Sequence, residues 1–266
     1  MMLAGAFTPE DFWRLRFITD MDLSVDGAWI AYVVQSSDRE TNSTHSAIWL
    51  LNTRDGTERR LTSGARSDSF PRFAPNGEQL AFVSTRGADG AQIWVIALAG
   101  GEARQLTHLA SGASDPAWSP DGAAFYIKST VIDDEDGSDD ADDPDRPRVY
   151  TRLQYRWDGR GDLVGRTQLF QVAIATGETT QLTAGDFDRG HPTPSPDGRW
   201  LAYIADEADD RDANMSTDVY LLDLTTRVSR RLTDGAHRVS HLSWSPASDR
   251  LACFAEPKVA AHSAYN

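Results

Sequence analysis

Four kinds of residue in this 266-residue chain have types and spacings that suggest chemistry. The first is a serine nucleophile. It needs Gly-x-Ser-x-Gly, which lifts the serine onto a tight turn between a strand and a helix. The nearest match, Gly112-Ala113-Ser114-Asp115-Pro116, fails at the last place and stands within a strand pattern. The second is a pair of histidines, His237 and His241. Four residues apart on a helix they would share a metal-binding face, but here they open an expected strand, with no third ligand nearby. The third is the acidic run from Asp133 to Asp145. With Gly137 at the sixth position of a calcium loop, the first ligand would be Ile132, which has no oxygen to give. These three sets give no catalytic residue and no metal site, and no glycine-rich phosphate loop precedes a helix, so no cofactor is expected.

The fourth set carries more. Arg152, Tyr155, Arg156, Trp157 and Asp158 lie together in one segment. Arginine clamps a carboxylate through two parallel N–H donors, and tyrosine or tryptophan lines a cleft. The same residues also suit a flap that covers a sheet edge. Both readings stay open, and the five are the candidate substrate-binding residues.

The elements that must position them come from a recurring turn. Ser119-Pro120-Asp121-Gly122 and Ser195-Pro196-Asp197-Gly198 are identical in type. Ser24-Val25-Asp26-Gly27 and Ala74-Pro75-Asn76-Gly77 are close variants, and Ser245-Pro246-Ala247-Ser248 is a degraded fifth copy. Proline presets the first central dihedral, and Asp or Asn before Gly accepts the left-handed conformation that turns a strand back. An alternating apolar run follows each turn, as in Gln79-Leu80-Ala81-Phe82-Val83 and Trp200-Leu201-Ala202-Tyr203-Ile204. A second run comes next, such as Ile93-Trp94-Val95-Ile96 or Val219-Tyr220-Leu221-Leu222. Each of the first four units then closes on Leu-Thr, at 61–62, 106–107, 182–183 and 232–233.

The turns are spaced by 50, 45, 76 and 50 residues. Four strands per repeat of about 40 to 50 residues predict an all-β chain of four-stranded antiparallel propeller blades. A β-sandwich would space its strands evenly but would not keep the same turn and terminator in step. The expected boundaries are a short helix within residues 1–17 and blades 1 to 4 with half of blade 5 over 18–256. An irregular tail over 257–266 completes the chain. About four and a half blades leave the ring incomplete, and an insert over 129–166 lengthens blade 3. Thr8 to Leu15 reads as the helix, with Thr8 as cap, Pro9 at its first position and Phe12, Trp13 and Leu15 on an apolar side.

Composition narrows the function. The net charge is −14, and nine of the acids fall within 133–145 without a base, so the rest carries only −5. That acidic stretch is self-repelling, is predicted disordered, and is expected to be dispensable for stability. No basic patch marks a nucleic-acid surface. No stretch approaches the roughly 20 apolar residues of a membrane helix, and the opening residues lack a signal-peptide pattern, so the chain reads as cytoplasmic. Cys253, the single cysteine, sits in an apolar strand pattern and reads as core.

The turn, the Leu-Ala-Tyr/Phe strand and the closing Leu-Thr resemble WD40-like repeats of the TolB type. Three further features are similar to the N-terminal region of prolyl oligopeptidase family serine peptidases, in the acylaminoacyl-peptidase and dipeptidyl-peptidase-like branch. They are the opening Thr8-Pro9-Glu10-Asp11-Phe12-Trp13 with Leu23-Ser24-Val25-Asp26-Gly27, the insert Arg152 to Gly159, and Gln168-Leu169-Phe170-Gln171-Val172. The resemblance implies a propeller that gates peptide access to an α/β-hydrolase domain. That domain is missing from this chain, so no catalytic residue carries over and the chain alone is expected to be inactive. As a fragment it would present unclosed blades, with Trp244, Leu251 and Phe254 exposed and prone to self-association. The rival expectation is a free-standing TolB-like propeller that binds a protein partner.

Overall fold

The computed structural model describes residues 8–63, 66–132, 155–157, 161–162, 165–208, 211 and 216–257. The acidic run 133–145 and the tail beyond Pro257 lie outside them. The described residues are nearly all β, and they fall into two compact units, Met1–Trp118 and Ser119–Asn266.

The first unit opens with a 3-10 helix, Pro9–Arg14. The Thr8 N–H and hydroxyl both donate to Asp11 Oδ2, at 2.9 and 3.0 Å. Six residues are too few for a stable α-helix, and the tighter turn stops at Leu15, whose backbone is extended. The helix packs on the second strand. Two antiparallel meanders follow. The first is β1 (Arg16–Leu23), β2 (Trp29–Asp38), β3 (Ser43–Asn52) and β4 (Glu58–Arg60), and the second is β5 (Asp68–Phe73), β6 (Gln79–Ser84), β7 (Gln92–Ala97) and β8 (Arg104–Gln105). In each, neighbours in sequence are neighbours in the sheet. These are the four-stranded blades that the repeat predicts. Strand β9 (Ser114–Trp118) ends the unit and packs on β5, β6 and β7.

The second unit holds β10 (Ala124–Val131), the short ribbon β11 (Arg156–Trp157) and β12 (Gly161–Asp162), then β13 (Arg166–Ala173) and β14 (Thr179–Gln181). The ladder of β10 with β13 runs out to Val131 opposite Arg166, so Ser129 to Val131 belong to the sheet and not to the insert. A full meander follows: β15 (Arg189–Pro194), β16 (Trp200–Ala205), β17 (Asp218–Asp223) and β18 (Ser229–Arg231). The hairpin β19 (His237–Trp244) and β20 (Leu251–Pro257) completes the described strands.

The recurring turn works through its serine and aspartate. Ser24 Oγ donates to Asp26 Oδ1 at 2.7 Å and accepts the Trp29 N–H at 2.9 Å. Gly27 takes φ 68°. The same pair forms at Ser119 with Asp121 and at Ser195 with Asp197. The degraded fifth copy regains it from two residues further on, because Ser245 Oγ donates to Asp249 at 2.7 Å. Ser248 takes the left-handed place at φ 60°. The hydrogen bond from serine holds the Asp26, Asp121 and Asp197 carboxyls below the usual carboxylate range.

The closing Leu-Thr also has a local cause. Each threonine hydroxyl accepts a third-strand N–H at 2.9 or 3.0 Å: Thr62 from Ile48, Thr107 from Ile93, Thr183 from Leu169 and Thr233 from Val219. In three of the four it then donates to the preceding side chain, Gln92, Gln168 or Asp218. Ala47 stands there in the first repeat and offers no acceptor.

With register set in this way, alternate residues reach each face. Ala31, Val33, Ile48 and Leu50 of the first meander pack on Phe73, Leu80, Phe82 and Ile96 of the second. In the other unit Tyr126, Leu169 and Leu182 pack on Leu201, Tyr203, Ala205, Tyr220 and Leu222. Each valine, leucine, isoleucine or phenylalanine among these, fully buried, contributes about 1.5–3 kcal/mol of transfer free energy. Two of the expectations for the fifth repeat need correction. Cys253 is exposed, not core. Trp244 and Leu251 are half-buried, because the Trp244 indole donates to the Thr193 carbonyl at 2.9 Å and Leu251 packs on the cluster of Ile204, Val219 and Val239. Phe254 is 69% exposed, as expected.

The threonine closure is testable. Thr107→Val removes a buried hydroxyl that holds both the Ile93 N–H and Gln92. It should lower unfolding free energy by about 1–3 kcal/mol, while Thr107→Ser should lose less than half as much. Urea denaturation of the two variants checks the order.

Candidate functional site: a guanidinium cluster in the second unit

Of the five insert residues, Arg152 and Asp158 lie outside the described residues. Tyr155 and Arg156 are exposed. Arg156 pairs with Asp162 and Trp157 with Gly161 across the β11–β12 ribbon. The structure therefore places two of the five, Arg156 and Trp157, on one ribbon with Tyr155 just before it, and leaves their convergence on a cleft untested. His237 and His241 are exposed on β19, and among the described residues no group of three or more metal-ligating side chains comes together.

A denser set of charges surrounds the start of β15. Gln168, buried on β13, accepts from Thr183 at 2.8 Å and from Arg189 Nη1 at 3.0 Å. Its amide donates to the carbonyls of Gly185 and Phe187, at 2.9 and 3.0 Å. That fixes the loop leading to Arg189, the first residue of β15. Arg189 is buried, with Nη2 2.7 Å from Glu207. Asp186 takes two more guanidinium groups, Arg166 at 2.6 Å and Arg211 at 2.9 Å. Arg189 and Arg211 both stand over the Phe187 ring, at 5.8 and 4.8 Å from its centre. Three arginines thus meet two carboxylates around one aromatic ring.

The second repeat shows what is particular here. Arg189 lies opposite Ala205 and Glu207 follows two residues on. Asp68 lies opposite Ser84 and Arg86 follows two residues on. The pair is the same with its charges exchanged. In the second repeat it is closed, since Arg86 Nη2 lies 2.8 Å from both oxygens of Asp68. In the fourth the pair is also made, Arg189 Nη2 to Glu207 at 2.7 Å, but donors around it are left over. The Nε–H groups of Arg166, Arg189 and Arg211 are buried with no hydrogen-bond partner among the described residues. Buried donors of this kind favour a carboxylate or carbonyl brought to them. The sequence reading missed this cluster because its members come from β13, the loop before β15, β15 itself and the stretch after β16, which no short motif joins. Alignment on the turns would have found it, since Arg189 and Asp68 each stand six residues before their turn.

Beneath the cluster, the Tyr203 and Tyr220 rings stack at 5.3 Å. Burial first, and then the charge of Glu207, push the Tyr220 hydroxyl up from 10 to about 12.

Comparison with known proteins follows the same repeats. Residues 19–137 match the TolB β-propeller domain model. Over 221 residues the chain is 34% identical to the Bacillus subtilis (strain 168) protein named uncharacterized peptidase YuxL, a match covering 81% of this chain and 33% of that protein. It is 26% identical over 260 residues to dipeptidyl-peptidase 5 of Porphyromonas endodontalis, covering 91% of this chain and 37% of that one. The chain thus spans about a third of the length of the curated relatives it matches. Among solved structures, the Pyrococcus horikoshii acylaminoacyl peptidase aligns with a TM-score of 0.65 at 17% identity, over 86% of this chain and 34% of that one. TolB from Acinetobacter baumannii aligns with a TM-score of 0.57 at 17% identity, over 91% and 55%. These two alignments show the fold.

Two outcomes test the cluster's energetics. Arg189→Asp should destabilise by about 3–5 kcal/mol, because it sets a second acid against Glu207 in a buried place. Adding Glu207→Arg should restore about 1–3 kcal/mol by recreating the second-repeat polarity. The tyrosine predicts an alkaline limb. The folded chain keeps a proton on Tyr220 that the unfolded chain releases near pH 10, so stability is whole below pH 10 and falls between 10 and about 12. Tyr220→Phe should make that fall shallower, read as urea midpoints across the range.

Proposed function

We propose that this chain, whose sheets are TolB-type propeller blades, is the N-terminal, access-filtering part of a serine peptidase that acts on short peptides. The observation that carries this is the match at 34% identity across 81% of the chain to a protein named as a peptidase and about three times its matched length. In this reading the serine, histidine and aspartate of catalysis stand on an α/β-hydrolase domain outside these 266 residues. The blades contribute selection. Rigid sheets carry loops that admit an extended peptide and exclude a folded protein, because only the former passes a narrow opening. The substrate-facing residues would be Arg152, Tyr155, Arg156, Trp157 and Asp158 of the insert. Its guanidinium groups would take a peptide carboxylate or carbonyl, and its aromatic rings the neighbouring side chains.

A second reading rests on a different observation. The Acinetobacter baumannii TolB is matched over 55% of its length, a larger share than of the peptidases. A free-standing propeller that binds a protein partner would follow from it.

The coding sequence beyond codon 266 separates the two. The peptidase reading expects an in-frame hydrolase domain with Gly-x-Ser-x-Gly. The product of the whole reading frame should then cleave dipeptidyl or acylaminoacyl chromogenic substrates and react with a fluorophosphonate. Residues 1–266 alone should do neither. A continuation without that motif, or a whole-frame product that neither cleaves nor labels, overturns the peptidase reading in favour of the binding propeller.

A further inference from the structure

An arginine fits a carboxylate best along one edge of its guanidinium. The Nε–H and an Nη2–H lie side by side there, and together they take both oxygens of the anion. Three arginines of the second unit use only half of that edge. Nη2 of Arg166 lies 2.6 Å from Asp186 Oδ1, Nη2 of Arg211 donates to Asp186 Oδ2 at 2.9 Å, and Nη2 of Arg189 lies 2.7 Å from Glu207 Oε1. Beside each of them the Nε–H is buried and has no partner among the described residues. Arg86 shows the completed form. Its Nη2 reaches both oxygens of Asp68 at 2.8 Å, and its Nε–H donates to Ser84 Oγ at 2.8 Å. Glu207 Oε1 is likewise buried without a hydrogen bond, so its ion pair with Arg189 brings the charges together without aligning a donor.

The members of the cluster differ in how firmly they are held. Arg166 follows Gly165, which takes φ 76° and where any side chain would meet the Val131 carbonyl. Its Nη1 donates to the Gly165 carbonyl at 2.7 Å. Arg211 lies on the Phe187 ring, and the Arg166 and Arg211 side chains are each only 20% exposed. Nη1 of the buried Arg189 donates to Gln168 and to the Phe187 carbonyl. Asp186 is the exception, with a side chain 64% exposed. Its backbone is pinned on either side, because the Gln168 amide holds the carbonyls of Gly185 and Phe187. The Asp186 carboxylate can therefore turn away about its own side-chain bonds while the loop stays in place. An ion pair to so exposed a carboxylate contributes little to stability, so little is lost when it opens.

We propose that Arg166 and Arg211 form a clamp for the carboxylate of a peptide, and that Asp186 holds the clamp until the ligand enters and then rotates out. The incoming carboxylate takes the Nη2–H and the Nε–H of each arginine, four donors for its two oxygens. Asp186 is tethered to its loop and reaches only the two Nη2 groups, so the ligand makes hydrogen bonds that the resident acid does not. Side chains buried to this degree are largely shielded from water, which strengthens charge-assisted bonds. Arg189 is a positioning residue. It stands over the same Phe187 ring as Arg211 and is tied to Gln168. The unused Glu207 oxygen adds an acceptor to these donors. A carboxylate with an amide N–H a few bonds away answers both, and a peptide presents that combination at its C-terminal residue and at an aspartate or glutamate. That the ligand is a peptide rests on the reading proposed above, whereas the clamp rests on the geometry of its own residues.

Titration calorimetry on the 266-residue chain tests the clamp. Three probes are used: acetyl-alanyl-phenylalanine, its C-terminal amide, and acetyl-aspartyl-phenylalanine amide. At least one of the two carboxylate peptides should bind at least about tenfold more tightly than the uncharged amide, and which of them does so tells a chain end from an acidic side chain. Asp186→Asn removes the resident acid and should tighten that binding at least about threefold. Asp188→Asn makes the same change of charge two residues away, at a carboxylate that takes the Thr167 N–H, and should leave the affinity within about twofold. Arg166→Lys keeps the charge but has no two-donor edge, and should weaken binding at least about tenfold, as should Arg211→Lys. Equal binding of all three probes, no tightening in Asp186→Asn, or lysine variants that bind like the parent each overturn the proposal. Because no step here depends on hydrolysis, these results stand apart from those of the whole reading frame. A frame without a hydrolase motif would leave the clamp intact, and a clamp that fails would leave the cleavage test untouched.

Discussion

A sheet that is apolar on both faces needs a neighbour on each, and the rest of the structure follows from that requirement. Strand β17 is buried at every residue, and β16 at every residue after Trp200. Neither alternates in and out of water, as a strand with one wet face would. One meander of this kind cannot be stable alone, because half of its apolar surface would remain in water. Repetition solves the problem, since the face one meander presents is the face the next one needs. The cost is a strict demand on register. A slip of one residue would send Leu201 and Tyr203 to the opposite face and leave Leu169 without its partners.

Two short polar devices meet that demand. The Ser-Asp turn locks the first hairpin, because the serine oxygen takes the N–H five residues on and the aspartate takes the N–H next to the glycine. The closing threonine locks the second, because its hydroxyl takes an N–H of the third strand that no ladder partner would reach. Neither device buries much surface. Their value lies in making one alignment of strands better than its neighbours by several hydrogen bonds, each worth about 0.5–1.5 kcal/mol net. The indoles add a third tie between sheets. Trp118 donates to the Arg72 carbonyl and Trp244 to the Thr193 carbonyl, both residues standing just before a recurring turn.

This explains how much was legible. The turns, the strand order and the closing Leu-Thr could be read because their causes are local, within about five residues for the turn and fifteen for the threonine. Exposure could not be read in the same way. Cys253 has the pattern of a core residue, and its register is that of Phe82, yet it is open. Burial is conferred by the strand beside it, and the residue's own sequence says nothing about that strand. The left-handed residues were also hidden. Phe70 and His191 take φ 51° and 56° at a bulge in the first strand, each followed by proline. Proline rarely follows such a conformation, and the bulge that imposes it is a property of the strand pair.

What the repeats share and where they differ then have separate meanings. Shared residues serve the framework, since each copy faces the same need for register and burial. Divergence at one place in the framework is where a copy can take a different task at little structural cost. The residue six before each turn is Ile18, Asp68, Ala113, Arg189 and Val239 in the five copies. Three are apolar and ask nothing further. Asp68 is charged and is matched within its own repeat by Arg86. Arg189 is charged and only partly matched, and it gathers Gln168, Glu207 and Phe187 around it while keeping a donor unspent. A buried guanidinium needs partners that a hydrophobic residue would not, and the Ile18 and Val239 copies show that the fold itself does not require a charge there. The departure of the fourth copy from its fellows therefore leaves a buried guanidinium whose Nε–H its own repeat does not satisfy among the described residues.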